Sequence, residues 1–277
     1  MKLAQSAERQ SPKVAYDTPR MDAARPDWNL PERRDIDVDG QRIRYWEKGG
    51  GRPLVLVHGF SGNAPFEWGR VFDALAGDFR VIAPQVLGFA PSAQPDVPYT
   101  TDALVTALGN FISALDLEDV VLVGESFGGW LVGSYAVRAA SLGLPVPAKL
   151  VIVGGPIGEM SGVRANAEGF VHQAVKDEVA AWFAAQEVFD NEPLKARISR
   201  ESGLRKGELS LEAAATIAVP TLLVWGEQDE LIPLRVGLAG VEAIPGARLH
   251  VFRDVGHIPS VECPNEFARV LAAFSRE

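Results

Sequence analysis

Val120-Val-Leu-Val-Gly-Glu-Ser-Phe-Gly-Gly-Trp-Leu131 decides how this chain is read. Four consecutive apolar residues, Val120 to Val123, suit a strand buried on both faces. Trp130, Leu131, Ser134, Tyr135 and Val137 suit a helix running on from Phe127 to Ala140. Gly124-Glu-Ser-Phe-Gly128 must therefore turn the chain from strand to helix within a few residues. A turn that tight strains the backbone of Ser126 and exposes its hydroxyl, and glycines flank it because side chains there would collide.

Outward from this turn the same alternation recurs. Pro53-Leu-Val-Leu-Val-His58, Phe79-Arg-Val-Ile-Ala83, Leu150-Val-Ile-Val153, Pro220-Thr-Leu-Leu-Val-Trp225 and Arg248-Leu-His-Val-Phe252 are apolar runs of strand length. Asp35 to Trp46 forms a hairpin about Asp39-Gly40, a pair suited to positive backbone angles. Leu104, Leu108, Phe111 and Leu115 place a helix over Thr101 to Leu115, and Pro264 precedes another over Asn265 to Phe274. Strands alternating with helices imply a mostly parallel sheet with right-handed crossovers.

One interval breaks the rhythm. No convincing strand lies between Gly155 and Val219. A helix is predicted from Ala165 to Gln186, carrying Phe170, Val175, Val179, Trp182 and Phe183, and a weaker one from Asn191 to Ser202. The expected organisation is an N-terminal arm over 1–34, a core over 35–157 and 219–277, and a helical cap inserted over 158–218. Trp182 and Phe183 are candidate substrate-binding residues in that cap, although aromatics at helical spacing also serve as core.

A serine hydroxyl needs a base to remove its proton. Of the four histidines, His250 lies within a strand and His172 within the predicted cap helix. His58 follows the first parallel strand and is expected to brace its loop. His257, in the glycine-bearing loop Asp254-Val-Gly-His-Ile-Pro259, is the candidate base. The base needs an acid to fix its tautomer. Trp225-Gly-Glu-Gln-Asp229 ends a strand, and Asp229 is preferred over Glu227 and Asp254. The N–H groups of Phe60 and Phe127 are the expected oxyanion donors.

Composition narrows the class. The chain has 277 residues, 47% of them apolar and 23% charged, with a net charge of −9, so a polyanionic partner such as nucleic acid is disfavoured. No apolar run is long enough to span a bilayer, and the polar N-terminus lacks the centre of a secretory signal, so a cytoplasmic location is expected. Cys263 stands alone and cannot form an internal disulfide; space-filling suits it better than nucleophilic chemistry. No ligand spacing points to a metal and no phosphate-cradling glycine loop to a nucleotide cofactor.

The chain order Ser126, Asp229, His257 is that of the α/β-hydrolases. Together with His58-Gly-Phe60, Pro84 to Phe89, Gly124 to Gly129, Trp225 to Asp229 and Gly256-His257, it makes the chain resemble that superfamily from about Asp35 to Phe274. The resemblance implies an eight-stranded, mostly parallel α/β sheet with helices on both faces, a small helical cap between strands six and seven, and a Ser–His–Asp triad. The stretch from Ala247 to Phe267 is also similar to the carbon–carbon hydrolases that cleave vinylogous diketones. Those enzymes usually carry a glycine-rich loop, an asparagine before the nucleophile and a tryptophan after the histidine. Here Ser61-Gly-Asn-Ala64, Glu125 and Ile258 stand there. Three functions follow: hydrolysis of a small apolar ester or lactone through an acyl-enzyme, carbon–carbon bond hydrolysis, and slow ligand sensing on a hydrolase scaffold.

Overall fold

The computed structural model describes residues 13–19, 30–158, 170–187, 189–207 and 209–277. Nine strands form one sheet: β1 (Val14–Asp17), β2 (Arg33–Val38), β3 (Gln41–Lys48), β4 (Arg52–Val57), β5 (Phe79–Pro84), β6 (Val121–Glu125), β7 (Lys149–Val153), β8 (Thr221–Gly226) and β9 (Arg248–Phe252). Their order across the sheet is β1-β9-β8-β7-β6-β4-β5-β3-β2. Only the β2–β3 and β3–β5 pairs are antiparallel. The hairpin joining β2 to β3 turns at Asp39 and Gly40, both with positive φ.

The helices are α1 (Ala64–Trp68), α2 (Phe72–Leu75), α3 (Thr101–Ala114), α4 (Phe127–Arg138), α5 (Lys176–Ala184), α6 (Glu192–Glu201), α7 (Leu211–Ala214), α8 (Leu234–Ala243), α9 (Pro259–Glu262) and α10 (Pro264–Arg276). Residues of α3, α4 and α8 pack with Val55, Val57, Leu122 and Ile152 on one sheet face. Residues of α1, α2 and α10 pack with Leu54, Leu56, Val121 and Val123 on the other. Successive strand residues point to opposite faces, so the continuous apolar runs feed both cores at once.

The structure corrects the sequence reading at several places. The sheet has nine strands, not eight. The additional one, β1, lies within the expected N-terminal arm and pairs in parallel with β9, Val14 opposite Leu249. The predicted helix from Ala165 to Gln186 is shorter: residues 165–169 lie outside the described residues, a 3-10 turn spans Gln173–Val175, and α5 begins at Lys176. Helix α8 falls in an interval to which the sequence reading assigns no element. Gly237 and Gly240 lower its helix propensity, yet they are what let it dock. A Cβ on Gly237 would lie 2.7 Å from the Trp225 ring, and one on Gly240 would lie 3.0 Å from Ile157.

Candidate active site

Ser126 sits between β6 and α4 with φ 57° and ψ −118°, the strained left-handed backbone that its turn requires. Crowding accounts for the flanking glycines. A Cβ on Gly124 would lie 2.2 Å from the Gly128 carbonyl oxygen, and one on Gly128 would lie 2.1 Å from that of Val57. The Ser126 N–H donates to Val153 at 2.8 Å, which ties the turn to the end of β7. Ser126 is half-buried, whereas its neighbours on both sides are buried.

His257 and Asp229 come together in the loops after β9 and β8. Asp229 Oδ2 lies 2.8 Å from His257 Nδ1, and both side chains are fully buried. Oδ1 of the same carboxylate accepts the N–H groups of Leu231 at 2.9 Å and Ile232 at 2.8 Å, so Asp229 cannot rotate without breaking its own loop. Nδ1 carries the proton in this pair, which leaves Nε2 as an acceptor. Nε2 is buried and makes no hydrogen bond to the described residues. The imidazole rests on Gly154, where a Cβ would lie 3.3 Å from Nδ1 and Cε1. Ser126 is thus bonded to Val153, and His257 packs on the next residue. Glu227 and Asp254, the competing acids, are exposed.

The two expected oxyanion donors stand side by side. The rings of Phe60 and Phe127 stack at 4.5 Å with an interplanar angle of 13°. Phe127 is the first residue of α4, so its N–H has no partner within the helix. His58 braces the same loop, as the sequence suggests. Its Nδ1–H donates to Gly59 at 2.8 Å, its Nε2 accepts the Val86 N–H at 3.0 Å, and burial pushes its pKa down to about 4. A neutral imidazole with both nitrogens occupied is a strut, not a base.

A cavity of about 700 Å³ opens above Ser126. Phe60, Phe66, Leu231 and Ile258 line it from the sheet side, and Phe170, Val171, Val179, Ala180 and Phe183 from the 170–201 segment. Its polar lining is Ser61, Glu67, Ser126, Lys176 and Lys195. The two candidate substrate-binding aromatics part company here. Phe183 lines the cavity edge-on to Phe66 at 4.9 Å. Trp182 does not line it: its indole N–H donates to the Phe66 carbonyl at 2.8 Å and its ring packs into the cluster of Phe66, Val175 and Val179. On a helix, adjacent residues face about 100° apart, and here that rotation carries Trp182 toward Phe66 while Phe183 meets the cavity.

Three buried carboxyls near the site are given no role by the sequence reading. Glu262 accepts N–H bonds from Gly256 (2.9 Å), His172 (2.8 Å) and Ile258 (3.1 Å), which fastens the His257 loop from both sides. Glu125 accepts the Ser260 hydroxyl at 2.7 Å, and burial raises its pKa well above the ordinary value. Glu67 accepts the Gly59 N–H and the Ser61 hydroxyl, and burial raises its pKa to about 7. A signal for Glu67 exists: it is the one charge in Ala64-Pro-Phe-Glu-Trp68, directly after the His58-Gly-Phe60 loop. Burial also raises the Cys263 thiol well above its ordinary value, which removes its nucleophilic form. Among the described residues no cluster could hold a metal ion, and no helix is long and apolar enough to cross a membrane.

Comparison with known proteins identifies the family. The chain is 32% identical over 272 residues to a 2-hydroxymuconate semialdehyde hydrolase of Pseudomonas sp. (strain CF600), covering 90% of this chain and 96% of that one. It is 31% identical over 263 residues to Lipase 1 of Psychrobacter immobilis, covering 86% and 81%. Among solved structures, Est816, described as an N-acyl homoserine lactone degrading enzyme, superposes with a TM-score of 0.74 at 25% identity over 87% of this chain and 100% of that one. The family model described as the alpha/beta hydrolase family matches residues 54–270. The chain is a member of the alpha/beta hydrolase family.

Proposed function

We propose that this hydrolase uses Ser126 as nucleophile, His257 as general base and Asp229 as the acid that orients it, on a small, mainly apolar carboxylic ester or lactone. The observation that carries the reading is the buried His257–Asp229 pair with its outer nitrogen unbonded, behind a half-buried serine that opens onto a largely apolar cavity. Ser126 Oγ attacks the carbonyl carbon while His257 Nε2 takes its proton. The N–H groups of Phe60 and Phe127 stabilise the resulting oxyanion. His257 then returns the proton to the departing alkoxide. Water attacks the acyl-enzyme by the same route and releases the acid.

Residues 158–218 act as a cap in this reading. Half of the cavity's lining residues come from this interval. It is fastened to the core by Trp182 on Phe66, by Glu178 on Arg70, and by Asn63 Nδ2 on the Glu187 carbonyl at 2.8 Å. Because the single cysteine makes the fold independent of an oxidising compartment, a cytoplasmic location suits it.

Carbon–carbon bond hydrolysis is the second reading. The relative from Pseudomonas supports it, as do two cations in the cavity, Lys176 and Lys195, which would suit a substrate bearing a carboxylate. The test is turnover of p-nitrophenyl esters of graded chain length, an N-acyl homoserine lactone and a dienoic ring-fission product, with Ser126→Ala beside the native chain. Ester or lactone turnover that vanishes in Ser126→Ala is expected. Cleavage of the dienoic compound alone moves the assignment to the second reading, and activity surviving in Ser126→Ala overturns the nucleophile.

A further inference from the structure

Glu67 is a buried carboxyl that the mechanism above leaves without a task. It is 2% exposed and forms no ion pair among the described residues. Burying a carboxyl in this way is costly unless its oxygens are satisfied. Its two oxygens take different partners. Oε2 accepts the Gly59 N–H at 2.6 Å, and Oε1 accepts the Ser61 hydroxyl. The two bonds straddle Phe60. The loop they hold is pressed against the nucleophile: a Cβ on Gly59 would lie 2.9 Å from Ser126 Cβ and 3.0 Å from the Glu125 carbonyl oxygen. Phe60, Ser61, Glu67 and Ser126 line the same cavity.

The geometry points to Glu67 as the positioning residue of the oxyanion loop, its carboxyl gripping Gly59 and Ser61 so that the Phe60 N–H between them stays aimed at the developing oxyanion. This inference rests on the serine-hydrolase reading. An oxyanion donor is effective only while it is held in place before the charge appears, and Phe60 makes no hydrogen bond of its own to the described residues. Its aim therefore depends on its neighbours, and both of those are held by one carboxyl.

Ionisation of Glu67 is part of the same device. The carboxylate accepts from both donors, whereas the protonated group must turn one oxygen into a donor. Desolvation disfavours the charged form. The Ser61 and Gly59 bonds favour it, as do His257 from the loop after β9 and Lys195 from α6. The negative charges of Glu67 and Glu262 in turn raise the pKa of Glu125 at the end of β6, after the larger effect of burial. With a pKa near 7, Glu67 adds a second ionisation to the acid limb of the pH–rate profile, beside that of the catalytic base.

The test uses the full chain, p-nitrophenyl butyrate as probe, and kcat, KM and the pH profile as readouts, with Ser126→Ala in parallel. Glu67→Ala is expected to lower kcat by about 10²-fold, the scale of a lost oxyanion donor, with little change in KM. Glu67→Gln keeps an acceptor for Gly59 and a donor for Ser61. Like the protonated carboxyl, it grips less well than the carboxylate, so it should recover about tenfold of that loss and no more, and should bring the acid-limb slope of log kcat/KM from above one proton down to one. Unaltered kcat in Glu67→Ala, a change in KM alone, or a slope above one proton persisting in Glu67→Gln overturns the proposal. If Glu67→Ala does not fold, the slope in Glu67→Gln decides. Activity surviving in Ser126→Ala instead defeats the serine-hydrolase reading itself, so the two failures are distinguishable.

Discussion

Helix α4 runs on directly from Ser126 and α5 lines the cavity that Ser126 opens onto, yet the two are built on opposite terms. In α4, which follows Ser126, every residue from Phe127 to Tyr135 is buried. Gly129 and Gly133 let it press against Ile152, Gly155 and Leu209. In α5 only Val179 is buried, and Phe183 is 42% exposed. The helix behind the serine has no freedom to move, so the reacting atom inherits the rigidity of the sheet. The helix across the cavity is held by one small apolar cluster and a few polar contacts, and its exposed positions can change at small cost. The proposed mechanism therefore places the chemistry on the closely packed part of the molecule and substrate selection on the loosely packed part.

The largest expected effect lies on the rigid side. Ser126→Ala should lower kcat by about 10⁶-fold, because nucleophile and base act as a unit, while the unfolding transition stays in place. A comparable loss of stability would mean that the strained turn itself requires the serine. Next comes Asp229→Asn, expected to lower kcat by about 10⁴-fold by favouring the wrong tautomer of His257. Glu227→Gln, at an exposed position, should change it less than about threefold; a larger loss there moves the acid to Glu227.

The comparison is sharpest within α5 itself. Trp182→Ala removes a ring packed on Phe66 and Val179 and should cost about 3 kcal/mol in denaturant unfolding. Phe183→Ala should cost less than about 1 kcal/mol and instead shift the preferred acyl chain length of p-nitrophenyl esters. Equal destabilisation by the two would show that α5 is packed like α4. The smallest effect concerns Glu125. Its folded-state pKa lies above the ordinary 4.5, so its contribution to stability is full below that value and is lost as pH rises toward the folded-state pKa. Glu125→Gln should remove that loss and gain on the native chain by up to about 1 kcal/mol per pH unit above pH 5. Parallel stability–pH curves for the two chains would show that Glu125 is already ionised.

Much of this was legible before any coordinates. The runs at 53–57 and 150–153 are strands because an element buried on both faces must be apolar at every position, a pattern that needs no neighbour to interpret. Gly124 and Gly128 could be read as steric necessities of the turn. What was not legible depends on partners distant in sequence. Val14–Asp17 is polar-flanked and short, and only the free edge of β9 makes it a strand. Gly237 looks like a helix breaker until the Trp225 ring beneath it is known. Trp182 and Phe183 differ by one turn position, and spacing alone does not say which of the two meets the cavity. Glu67 is a lone acid whose importance comes from a loop bent back onto it.

The position of β1 has a consequence for how the chain is made. Its partner, β9, begins more than two hundred residues later. At a synthesis rate of 5–20 residues per second, roughly 10–50 s separate the emergence of the two strands. Throughout that time β1 is a stranded segment with no native mate, and once β9 has formed, β9 is an open edge until β1 arrives. An unpaired edge strand is a template for joining other chains. Among the described residues β1 alone covers that edge of the sheet, so a chain lacking residues 13–19 should fold the rest of its sheet yet be prone to associate through β9.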